Sequence, residues 1–326
     1  VSACLFIALC AAGNVFGQLN EPMEGTWVTN GPVFAMESNA TALYLGGNFT
    51  YVGPSTGCAV RLQDDGTLAT APAFPKINGT VYAMVSDGAG GWYIGGDFTR
   101  VGDELRNRIA HVLVDGSVAS WNPNINNTVY ALTVSSDGLT VYAGGAFTRI
   151  GSLTRRYLAS IDAVTGLATT WDPVLDDFVR TMTLSADGMT LFAGGNFTDF
   201  IKAYDLSVFP PVVSFTPILD GMVRTMTLTP DGSKLFMGGW FTGHLIAIDP
   251  GTGGLIAAFD PVVNNPVLSL AATDAEVYAG GPFTEVNYET RNGIVALDAA
   301  TGNNIADWAP EADNWVTALA VSPERC

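Results

Sequence analysis

The residues of this chain best equipped for chemistry are oxygen-bearing side chains in a series of similar loops: Asn124 and Asn126, Asp176 and Asp177, Asp220, Asn264 and Asn265, then Glu311, Asp313 and Asn314. Gathered on one face, such carbonyl and carboxylate oxygens can hold a hard cation such as calcium or bond the hydroxyls of a glycan. Left apart, they form a solvated acidic rim, which is the plainer expectation. Arg106, Arg155 and Arg291 recur at one aligned position; they can recognise an anion, or fix their own loops by bonding backbone carbonyls or a neighbouring acidic residue. Only two histidines exist, His111 and His244, so a histidine metal site or a Ser-His-Asp triad has little material. Asp-Gly pairs at Asp87, Asp187 and Asp231 and at Asp65 and Asp115 fall where hairpin turns are expected, and they lack the run of alternating oxygen ligands that a calcium loop needs. No catalytic, cofactor or metal residues follow from these patterns, and calcium is the one cofactor the loop oxygens admit.

These loops recur because the chain recurs. The phrase Gly-Gly-x-Phe-Thr returns six times, at Gly46-Gly47-x-Phe49, Gly95-Gly96-x-Phe98, Gly144-Gly145-x-Phe147, Gly194-Gly195-x-Phe197, Gly238-Gly239-x-Phe241 and Gly280-Gly281-x-Phe283. Self-similarity at a period of roughly 40 to 50 residues marks one supersecondary unit, copied and stacked because no copy can bury its apolar faces alone. Each phrase is preceded by a strand, opening at Val33, Val81, Val129, Val179, Val223 and Val267, with a seventh opening at Val316. In the third copy, Val129 to Val134 alternates as a strand, Ser136-Asp137-Gly138 turns, and Val141 to Thr148 returns. A loop over Arg149 to Arg156 leads to a third strand at Leu158 to Asp162, and Thr165-Gly166 turns into a fourth ending at Trp171-Asp172-Pro173. Four strands joined up and down form a propeller blade. The paired glycines mark close approach between blades or a bulge, and the phenylalanines form a ring of equivalent packing positions. Phe74, Trp121, Trp171, Phe215, Phe259 and Trp308, which end the fourth strands, read as blade-to-blade docking anchors. The expected fold is an all-β propeller of seven four-stranded blades with an incomplete last blade. Six full repeats run from 33 to 315, and a partial seventh covers 316–326. The alternative is a six-bladed ring with Val316 to Val321 added as a strand at the seam.

The chain has 326 residues, is 48% hydrophobic and only 14% charged, which suits strands covered on both faces and excludes disorder. A formal charge of −17 argues against nucleic acid or an anionic membrane as partner. Val1 to Phe16 is an uncharged apolar run ending in small residues, with Val15 and Gly17 placed for cleavage before Gln18. It reads as a signal peptide over residues 1–17 that begins part-way through, ahead of a propeller domain over 18–326. Export would remove Cys4 and Cys10, leaving Cys58 and Cys326, from which no disulfide framework follows. Sequons occur at Asn39, Asn48, Asn78, Asn126 and Asn196, two of them inside the repeat phrase itself.

Taken together, Tyr-x-Gly-Gly-x-Phe-Thr, the Arg106, Arg155 and Arg291 loops and the Leu-Asp-Ala-x-Thr-Gly stretch leading to Trp308 and Pro310 resemble a family of secreted bacterial propeller repeats, the delta-60-like repeats. Ala159 to Trp171 is also similar to the docking motif of quinoprotein-like propellers, and the glycine phrase resembles propellers of fungal cell-surface polarity proteins. The resemblance implies a secreted or cell-surface protein that binds protein or glycan without doing chemistry. It implies an extracellular quinoprotein-like or sugar-oxidising enzyme only if a cofactor site is present, and no blade carries the insertion that would hold one. A structural spacer in a longer surface protein is the third expectation. No membrane insertion of the mature chain is expected.

Overall fold

The computed structural model describes residues 32–39, 42–48, 59–63, 74–208, 211–215 and 219–321. The expected signal peptide, Phe49, Cys58, Cys326 and the Asp65-Gly66 turn lie outside them.

Among the described residues the chain is all-β, without a helix, and forms six antiparallel sheets of three or four strands in sequence order, with three two-stranded ribbons beside them. The first joins Val33–Asn39, Ala42–Gly47 and Ala59–Gln63; the second Val81–Ser86, Trp92–Gly96 and Ile109–Val112; the third Val129–Val134, Thr140–Gly145 and Leu158–Asp162. The fourth joins Val179–Leu184, Thr190–Gly195, Ile201–Asp205 and Val212–Phe215. The fifth joins Met222–Leu228, Leu235–Trp240 and Leu245–Ile248, and the sixth Ser269–Ala272, Glu276–Gly280 and Ile294–Asp298.

Three expectations need correction. Among the described residues a full fourth strand is present only at Val212–Phe215; in the second, third, fifth and sixth units the outer segment shrinks to single bridges, Val112 with Val118, Ile161 with Ala168, Ile248 with Leu255 and Leu297 with Asn304. In the second and third units the carbonyl directly after the bridge, that of Ala119 or Thr169, is taken by the guanidinium of Arg106 or Arg155 and so is withdrawn from the outer ladder. Residues 316–321, expected as a strand, form none, because no described strand pairs with them in a ladder. The expected loop over Arg149 to Arg156 is in fact a small ribbon of Arg149–Ile150 and Leu153–Thr154, matched by Arg100–Val101 with Glu104–Leu105 and by Glu285–Val286 with Glu289–Thr290.

The core lies between successive sheets rather than inside any one. One cluster joins Ala83, Tyr93 and Ile109 of the second sheet to Val129, Val141 and Phe147 of the third; another joins Tyr142 and Leu158 of the third to Val179 and Leu191 of the fourth. The same arrangement links fourth to fifth and fifth to sixth. Strands buried on both faces, such as Trp92–Gly96, explain why so few residues are charged. Phe98, Phe147, Phe197, Phe241 and Phe283 are all buried at 0 to 4% exposure, an equivalent depth in every described copy. Each contributes roughly 1.5 to 3 kcal/mol by leaving water. Two of the aromatic anchors, Trp121 and Trp171, bridge neighbouring sheets as expected. Trp121 Nε1 donates to the Asp162 carbonyl of the next sheet at 3.0 Å, and Trp171 packs edge-on against both Tyr142 and Tyr204.

The two glycines of each phrase do different jobs. A Cβ on the first would strike the opening valine of the next unit: Gly95 meets Val129 Cγ1 at 2.6 Å, Gly144 meets Val179 Cγ1 at 2.5 Å and Gly280 meets Val316 Cγ1 at 2.7 Å. A Cβ on the second would strike a backbone carbonyl of its own sheet, 1.9 Å from Thr80 O at Gly96 and 2.1 Å from Thr128 O at Gly145. That second contact sits at a β-bulge. Val81 pairs with Gly96 and Ala83 with Gly95, so Tyr82 drops out of the ladder; Phe34, Tyr130, Arg180 and Arg224 do the same in their sheets.

Candidate functional site

The loop oxygens singled out from the sequence are largely engaged with the repeat phrase. Asn126 Oδ1 accepts the amides of Thr148 and Arg149, both at 3.0 Å, while its Nδ2 donates to the Thr148 hydroxyl. Asn78 and Asn264 make the same three bonds to Thr99 and Thr284 and the residues after them. Asp176 and Asp220 replace Asn in the fourth and fifth units: each accepts the amide and the hydroxyl of its threonine, Thr198 or Thr242. The bond from the threonine hydroxyl, then the amide, holds each carboxyl below the ordinary carboxylate range. Asp177 accepts the amide of Phe178 at 2.7 Å, a local cap. Asn265 and Asp313 are exposed and make no such bond. Among the described residues, no three of His, Cys, Asp or Glu gather at one point.

Arg106, Arg155 and Arg291 follow the small ribbons and fasten them. Arg155 donates to the Thr154 and Thr169 carbonyls at 2.7 and 2.6 Å, and Arg106 to those of Leu105 and Ala119 at 2.8 and 2.7 Å. Arg291 bonds the Thr290 carbonyl and Glu289. Units four and five lack both ribbon and arginine.

The hairpin aspartates close their turns. Asp137 and Asp187 accept a serine hydroxyl and an amide two residues on, and Asp231, held down to about 2, accepts the Thr229 hydroxyl and the Ser233 amide. His111 Nε2 lies 2.8 Å from Asp87 Oδ2, with its ring stacked on Tyr93. Burial works to raise the Asp87 carboxyl, but bonds from His111 and from the amides of Ala89 and Gly91 outweigh it and hold it low.

What the sequence reading missed lies at the bulges. A cavity of about 210 Å³ is lined by the openings of the first strands of all six sheets and by residues 317–319. The bulged position of each unit faces it: Phe34, Tyr82, Tyr130, Arg180, Arg224, with Leu268 and Thr317 at the equivalent places. The next position is small, Ala35, Ala83, Ala131, Thr181, Thr225, Ser269 and Ala318, and the one after is mostly Met or Leu. The available signal was the position following each opening valine, which varies in chemistry from copy to copy while its flanks hold steady. Arg180 lies over the Tyr130 ring, 4.3 Å from its centroid, and 5.5 Å from that of Phe178, and its Nε donates to Asn196 Oδ1 at 3.1 Å. Burial, and then the like charge of Arg180, lower the pKa of Arg224. Burial, and then the nearby Asp97 carboxylate, raise that of Tyr82.

Comparison with models of known protein families finds no match, and comparison with curated proteins finds none.

Proposed function

We propose that the chain is a closed β-propeller with seven positions around one axis, and that it serves as a secreted or cell-surface module binding protein or glycan without catalysis. The observation that carries this is a cavity shared by the first strands of the six described sheets, with a chemically variable position of the repeat turned into it. Closure is supported by two contacts at the seam. Gly280 meets Val316 as each earlier glycine meets its next valine, and the Thr317 hydroxyl donates to the Val33 carbonyl at 2.7 Å. Binding is favoured over chemistry because the recurrent polar side chains of the loops are spent on the scaffold's own backbone, leaving a shaped surface in place of convergent reactive groups. The test is saturable binding of the purified protein to a glycan array and a panel of extracellular proteins. Asn265→Arg and Asp313→Arg, both in exposed rim positions, should weaken that binding while leaving the melting temperature unchanged. Dye reduction with alcohols or aldoses after adding a quinone cofactor and calcium would overturn the reading.

A further inference from the structure

We propose that Arg180 and Arg224 form a receptor for the carboxylate of an acidic sugar unit of the uronate type, seated in the axial cavity. It rests on the reading of that cavity as the binding end of the module, and names the chemistry bound.

Two cations share a cavity whose lining, among the described residues, contains no carboxylate. Arg180 is held from two sides: its central carbon lies over the Tyr130 ring and its Nε is tied to Asn196, so its two terminal nitrogens form a fork with no acceptor among the described residues. Arg224 forms no hydrogen bond or ion pair with any described residue, and it is close enough to Arg180 for the charges to oppose one another. Half-buried guanidinium groups that repel each other raise the free energy of the folded chain, and an anion bridging them removes that cost. Among anions, a carboxylate matches the planar fork in a bidentate manner. The rest of the ligand is set by the neighbours: Tyr82 and Tyr130 pack edge to face at 5.4 Å and offer apolar ring surface beside the fork. A sugar ring, with an apolar face and a polar edge, fits such a surface, and a cavity of about 210 Å³ takes one such unit. The bulges make this possible, because a side chain left out of the ladder is free to face the axis.

The experiment uses the full chain with glucuronate, glucose and inorganic sulfate as probes, read by calorimetry and by thermal melting. Glucuronate should bind and raise the melting temperature, while glucose should not bind and sulfate should bind more weakly. Arg180→Gln and Arg224→Met should each weaken glucuronate by about 30-fold or more. Arg224→Met should melt above the parent protein when no anion is added, since it removes the opposed charge, which separates loss of the site from loss of the fold. Arg224→Lys should retain part of the binding. Absence of glucuronate binding, sulfate binding as tight as glucuronate, or undiminished binding by Arg224→Met would overturn the proposal. Glucuronate bound by a protein that takes no macromolecule would sink the wider module reading alone. A macromolecular ligand retained in full by both arginine variants would sink this inference alone.

Discussion

The glycine pair illustrates how one phrase can carry two unrelated constraints. At the first glycine the obstacle is a side chain, at the second it is a carbonyl oxygen that cannot move without breaking the bulge. Gly96→Ala would place a Cβ 1.9 Å from Thr80 O, and is expected to cost more than about 4 kcal/mol or to prevent folding, as read by denaturant unfolding. Gly144→Ala collides instead with Val179 Cγ1, so Val179→Ala in the same chain should restore part of the lost stability. No such rescue should exist for Gly96→Ala. From sequence these glycines were legible as a place where Cβ is not tolerated, with close approach and a bulge as competing reasons; each reason belongs to a different glycine. The identity of the obstacle was not legible, because the first of them comes from the neighbouring unit.

At the scale of elements, the loop between units is locked to the end of the second strand by one Asn or Asp. Asp176 makes this clamp as a carboxylate whose pKa in the fold lies below its ordinary 3.8. A depressed value means that the unfolded chain binds the proton more readily, so the stabilisation is complete above about pH 4 and is lost as pH falls through the folded value. Asp176→Asn, adopting the residue found at Asn126, should leave the melting temperature near neutral pH almost unchanged and flatten its fall between about pH 4 and 2. A pH profile identical to that of the parent would show that the clamp is not what titrates. The loop residues were legible from sequence as a recurring polar set. Their attachment was not, since Asn126 and Thr148 are joined across a sheet edge and only the folded hairpin brings them within bonding distance. The small ribbons were missed for a similar reason: two-residue strands carry too short a pattern to show a period.

For the whole molecule, the closed ring proposed above has a direct consequence in solution. A compact chain of this length has a radius of gyration of about 20 Å, and small-angle scattering should return that value for a closed ring. An open arc of stacked sheets would give a distinctly larger radius and a longer maximum dimension. The sheets themselves, their order and the phenylalanine layers between them were determined by the sequence alone, because apolar alternation and turn residues are local and the sixfold repetition averages out local ambiguity. The shortening of the fourth strands, the absence of a ladder at 316–321 and the meeting of Thr317 with Val33 were decided by tertiary structure. So was the cavity that brings Arg180 and Arg224 together. Each strand supplies only a residue or two of that inner surface, and residues of different units become neighbours only when successive sheets pack against one another.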